Sequence, residues 1–118
     1  QKFAGQTRYS VVRTADGRVI GVISLMDAER AVPGWELGIE MAPDVRRQGY
    51  AREALAAVIQ AFFEKTDTVL FTGGHYAYNT ISGELLKKLG FTYEGIEHKA
   101  MRHAERGPTD LVCYYLEK

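Results

Sequence analysis

The stretch Pro43-Asp44-Val45-Arg46-Arg47-Gln48-Gly49-Tyr50-Ala51 decides the reading of this 118-residue chain, because it joins the end of an apolar strand to the start of an amphipathic helix. Gly49 can take backbone angles closed to other residues and lets a ligand approach the main chain, and Ala51 is too small to block that approach. A helix start leaves backbone N–H groups unpaired and carries the positive end of the peptide dipoles, so successive amides from Arg47 to Ala51 can converge on an anion. Arg46, Arg47 and Arg52 add charge suited to phosphate oxygens. The stretch reads as a cradle for a pyrophosphate. It also fits an ordinary strand–turn–helix junction with a solvated basic surface, so a second motif is needed to make it specific.

Upstream, residues 35–41 alternate, with Trp35, Leu37, Ile39 and Met41 on one face and Glu36, Gly38 and Glu40 on the other, the pattern of a half-buried strand. Before it, residues 9–14 and 18–25 flank Ala15-Asp16-Gly17 and predict a hairpin, and residues 26–34 predict a loop. Downstream, Ala54, Leu55, Val58, Ile59, Phe62 and Phe63 recur at helical spacing over residues 50–65, and Thr66-Asp67 closes the helix. Residues 68–72 predict a short strand running into Gly73-Gly74, which leaves His75, Tyr76 and Tyr78 in a loop before the next helix. Asn79 stands at the N-cap of that helix, Ile81, Leu85, Leu86 and Leu89 form its buried stripe, and Gly90 stops it. Residues 91–101 and 110–116 complete the order β-β-β-α-β-α-β-β, with Gly107-Pro108 in the final connection.

The length suits one domain over residues 1–118, and 46% apolar residues is ordinary for a globular protein. There is neither an apolar run of membrane-spanning length nor a leader pattern, so a soluble cytoplasmic protein without membrane contact is expected. Fifteen basic and 15 acidic residues balance, which argues against nucleic-acid binding driven by bulk charge and makes any anion site local. The single cysteine, Cys113, reads as a small core residue, and His98 and His103 lack the companions of a metal site, so no metal is expected.

The second motif is Asn79-Thr80-Ile81-Ser82 followed by Leu89-Gly90-Phe91. Together with Arg46, Gly49 and Ala51, it resembles the GNAT superfamily of acetyl-CoA-dependent N-acetyltransferases, especially the branch that includes ribosomal-protein N-terminal alanine acetyltransferases, over about residues 18–118. The resemblance implies an α/β (α+β) fold: a mixed, mostly antiparallel twisted sheet with a central splayed parallel strand pair and two flanking helices. It also implies acetyl-CoA as cosubstrate. The diphosphate would be held by Arg46, Arg47, Gln48, Gly49, Tyr50, Ala51 and Arg52, and the pantetheine arm would bond the main chain of Met41 and Ala42 as an added strand. A main-chain N–H near Glu40 or Met41 would face the thioester oxygen, Asn79 would reach the coenzyme arm, and Ser82 would bond or protonate the departing thiolate. On their own residues, Asn79 and Ser82 read equally well as a helix cap and a small polar residue of its first turn.

The expected reaction is direct attack by a primary amine, a protein N-terminus or a small amine, with Glu36 or Glu40 as the base. Two glutamates on one strand face are also a common solvated pattern, and both stay open as candidates. His75, Tyr76 and Tyr78 would lie near the acceptor as substrate contacts or surface aromatics. Members of this branch usually begin with a strand and two helices that wall the acceptor site, and residues 2–8 are too few to supply them. The expectations that follow are a segment missing from the start of the chain, a partner that completes the cleft, with a homodimer as the form suggested, or a catalytically silent acyl-CoA-binding module.

Overall fold

The computed structural model describes residues 7–77 and 79–118. In chain order the elements are β1 (Thr7–Val12), β2 (Val19–Asp27), β3 (Gly34–Met41), a 3-10 turn at Pro43–Val45, α1 (Tyr50–Lys65), β4 (Leu70–Tyr76), α2 (Thr80–Lys88), β5 (Thr92–His103) and β6 (Gly107–Glu117). The six strands join one sheet in the order β1-β2-β3-β4-β6-β5. Every neighbouring pair is antiparallel except β3 with β4. Element order and the mixed sheet with its central parallel pair agree with the sequence reading.

Both helices cover the same face of the sheet. Ile23, Leu25, Leu37, Phe71 and Tyr114 project from the strands to meet Leu55 and Ile59 of α1 and Leu86 of α2. Each such side chain, fully buried, contributes about 1.5–3 kcal/mol. Phe62 of α1 sets its ring edge-on to Trp35, Phe71 and Tyr9, with centroids 5.9, 6.3 and 6.3 Å away, so the helix is seated across three strands. Gly34 permits β3 and β4 to meet at their paired end, since a Cβ there would lie 2.8 Å from the Leu70 carbonyl oxygen.

Several boundaries differ from the sequence reading. β4 runs on through Gly73, Gly74, His75 and Tyr76, paired along its length with β6. His75 is therefore a buried residue beneath α2, with its Nδ1 2.7 Å from the Tyr76 carbonyl and its ring stacked on Tyr114. Gly107-Pro108 opens β6 instead of lying in a connection. Cys113 is half-buried on the helix-free side of β6, and its neighbour Tyr114 takes the core position. Residues 1–6 and Tyr78, which the sequence reading drew on, lie outside the described residues.

Candidate active site

The parallel pair holds together only briefly. Its register covers Gly34↔Leu70, Trp35↔Phe71 and Glu36↔Thr72, after which β3 continues to Met41 and β4 to Tyr76 without pairing to each other. Gly34 accepts a hydrogen bond through its carbonyl from Ala28 on the β2 side, and Ala42 donates its N–H to Ile20 on that side at 2.8 Å. Main-chain polar groups alternate along a strand, so Ile39 and Met41 direct theirs to the opposite side, into the gap between the diverging strands. The sequence reading gave Ala42 a share in that edge. Its N–H is committed to Ile20 and its carbonyl accepts from Val45 at 3.1 Å, so the edge belongs to Met41 and the residues before it.

α1 and α2 follow β3 and β4, so both helix starts come to the open end of the pair. In open α/β sheets ligands bind in such crevices beyond the carboxyl ends of parallel strands. At the start of α1, Arg47 adopts φ 64° and Gly49 φ 85°, two left-handed residues that turn the chain through a concave bend. Gly49 is the N-cap residue and supplies no side-chain cap. Among the described residues, the amides of Arg47, Gly49, Tyr50, Ala51 and Arg52 have no acceptor. A Cβ placed on Gly49 would meet nothing within 4 Å, so the bend is open and not filled from within.

The side chains around the bend divide into anchors and free charges. Asp44 takes a two-pronged bond from Arg18 at 2.6 and 2.9 Å, which pins the loop to the start of β2 and holds the Asp44 carboxyl below its ordinary range. Gln48 turns its amide nitrogen back to the Asp44 carbonyl at 3.4 Å. Arg46, Arg47 and Arg52 are exposed and form no ion pair among the described residues. A cradle of free amides ringed by unpaired guanidinium groups suits a diphosphate.

At the start of α2, Asn79 accepts a hydrogen bond from the Ser82 amide at 3.4 Å, and Ser82 is half-buried. Glu36 and Glu40 both leave β3 on the face away from the helices, but their settings differ. Glu36 sits at the last paired position beside Thr72 and lines a cavity of about 380 Å3, whereas Glu40 lies further along the exposed strand and does not line it.

That cavity brings Glu36 together with residues the sequence reading did not place at the site. Glu94, Gly95 and Glu97 of β5 and Leu111 and Cys113 of β6 line it with Glu36 and Thr72. Arg30 forks onto Glu94 at 2.9 and 3.1 Å, holding the Glu94 carboxyl below its ordinary range. Cys113 donates its thiol to Glu97 at 3.5 Å; burial, then this carboxylate, push the thiol pKa up to about 11. Their sequence signal is weak. Gly95 within a strand hints at the irregularity that occurs between Tyr93 and Gly95.

A family description, the acetyltransferase (GNAT) domain, matches residues 1–92. The chain belongs to the GNAT acetyltransferase family. In fold it is similar to the ribosomal-protein-S5-alanine acetyltransferase of Vibrio fischeri, with a TM-score of 0.87 at 20% identity, covering 98% of this chain and 63% of that one. It is also similar to a GNAT-family acetyltransferase of Bacillus anthracis, with TM-score 0.84, 22% identity and coverage of 93% and 65%. A third likeness is to the dodecameric spermidine N-acetyltransferase of Vibrio cholerae, with TM-score 0.85, 19% identity and coverage of 97% and 66%. The chain thus spans a little under two thirds of the length of these structures. Comparison with proteins of curated function finds no match. No helix among the described residues is long and apolar enough to cross a membrane.

Proposed function

We propose that this chain forms the coenzyme-binding core of an N-acetyltransferase that moves an acetyl group from acetyl-CoA to a primary amine by direct attack. One observation carries the reading. The bend at residues 47–52 presents amides that have no acceptor among the described residues, flanked by three arginines that form no ion pair among them, at the mouth of a parallel pair that has come apart. Those amides with Arg46, Arg47 and Arg52 would hold the diphosphate, and the free main-chain edge at Ile39 and Met41 would bond the pantetheine arm.

The remaining roles follow from position. The acceptor would enter the cavity on the helix-free face, where Glu36 at the strand junction would take the proton that the amine loses as its nitrogen bonds the acetyl carbon. A main-chain N–H of β3 facing the gap would stabilise the oxygen as charge grows on it. Ser82 would supply the proton to the thiolate when the carbon–sulfur bond breaks, and Asn79 would bond the coenzyme arm through the amide nitrogen that its capping role leaves free.

Release of free coenzyme A thiol from acetyl-CoA in the presence of an amine panel measures the activity, and titration calorimetry measures the cosubstrate. Glu36→Gln is expected to lower kcat by roughly 10²–10⁴-fold, the usual contribution of a general base, with acetyl-CoA affinity unchanged. Glu40→Gln, outside the cavity, is expected to change kcat by less than about threefold, since it contacts neither the amine nor its proton. Equal losses in both variants would remove Glu36 from its role, and absence of saturable heat with acetyl-CoA would sink the reading itself.

A further inference from the structure

We propose that the acceptor carries a second cationic group, seated against Glu97 at the far end of the cavity while its reacting amine lies at Glu36 and Thr72. The proposal rests on the reading above and names the class of acceptor for that same site. Three carboxylates converge here from positions remote in sequence, Glu36 on β3 and Glu94 and Glu97 on β5. The single cation among the lining residues, Arg30, is already forked onto Glu94. Glu36 and Glu97 face the cavity without a cationic partner among the described residues.

Thr72 supplies an independent sign that a polar ligand belongs there. It is only 8% exposed, and its neighbour Phe71 is fully buried under the helices, so the Thr72 side chain points to the opposite face and into the cavity. Its hydroxyl has no hydrogen bond among the described residues, in contrast to the more deeply buried Thr68, which is bonded by Trp35. With no protein partner, that hydroxyl is open to the cavity and available to a polar ligand there.

The geometry separates the two ends. β3 and β5 are three strand spacings apart in the sheet order, about 14 Å between backbones, and carboxylate side chains shorten that span. A short aliphatic chain bearing an ammonium or guanidinium at each end fills it. The surroundings of Cys113 agree, because its thiol meets negative charge from Glu97 and Glu94 in addition to burial. Two sources offer this chemistry, a small aliphatic polyamine and a peptide whose N-terminal amine is followed by a basic residue.

Thiol-release assays with the full chain compare a simple alkyl monoamine, an aliphatic diamine, and peptides differing only in arginine or alanine at the second position. A kcat/KM at least tenfold higher for the dication of either pair is expected, and the pair that shows it identifies the source. Glu97→Gln should collapse that ratio towards one while the Cys113 thiol keeps an acceptor. Equal kcat/KM for mono- and dications would overturn the proposal and leave the acetyltransferase reading standing. A second readout is independent of turnover: the diamine should slow iodoacetamide alkylation of Cys113 at mildly alkaline pH at least threefold more than the monoamine at equal concentration. If no amine is acetylated, that difference still supports the subsite, and its absence overturns it.

Discussion

The two helix starts at the open end of the sheet solve the same problem in opposite ways. Each leaves N–H groups that its own helix cannot satisfy. At α2 the chain answers one of them internally, through a side-chain cap in which Asn79 accepts from the Ser82 amide. At α1 the chain leaves the need unmet: Gly49 offers no side chain, two left-handed residues, Arg47 and Gly49, aim the amides into a shared concavity, and arginines surround it. A fold that caps one start and not its neighbour a strand away can cap helices, which supports the proposal that the bare one receives an external anion. The nearby anchors support this, because Arg18 and Gln48 fix the loop from behind through Asp44 and leave its front clear.

The largest test breaks the concavity itself. Gly49→Val forces a β-branched residue into φ 85°, which costs about 1–2 kcal/mol in backbone conformation and invites the loop to rearrange. Acetyl-CoA affinity measured by calorimetry is expected to fall by roughly 100-fold or more, with thermal unfolding checking that the fold survives, since coordination by several amides is lost at once. Unchanged affinity in a folded Gly49→Val protein would show that the bend is not the anion site. Next in size, Arg47→Ala and Arg46→Ala each remove one charge-assisted contact and should weaken binding about tenfold, more steeply at low salt. Comparing coenzyme A with its dephospho form then sorts which arginine serves the diphosphate and which the terminal phosphate, sharpening the contrast with α2, where no such salt dependence is expected.

What could be read without coordinates followed from how local each signal was. The bounds of α1 emerged directly, because the helical spacing from Ala54 to Phe63 and the punctuation at Gly49 and Thr66 all act within one element. The open bend was legible for the same reason. The end of β4 was not, because Gly73-Gly74 carries a local turn signal that tertiary packing overrides. A Cβ on Gly73 would come within 3.0 Å of Leu86, and one on Gly74 within 3.1 Å of the Val112 carbonyl, so these glycines serve close packing inside a strand. The cavity proposed for the acceptor was the least legible part. Glu36, Thr72, Glu97 and Cys113 meet only through the strand order β3-β4-β6-β5, which no periodicity along the chain encodes.

The smallest test asks whether the capped start is wholly self-contained. Asn79 uses its carbonyl oxygen as the cap and has an amide nitrogen to spare, so two substitutions separate its tasks. Asn79→Ala removes the cap and should cost about 0.5–2 kcal/mol of stability, read from denaturant or thermal unfolding. Asn79→Asp keeps an oxygen for the Ser82 amide and adds favourable charge at a helix start, so stability should hold or rise slightly. It also replaces the spare donor with a second acceptor. If that donor bonds the coenzyme arm, acetyl-CoA affinity drops about three- to tenfold in Asn79→Asp with stability intact, a separation that capping alone cannot produce. If affinity follows stability through both variants, the α2 start is a closed structural unit, and recognition of the coenzyme rests on the bare start of α1 and the free edge of β3.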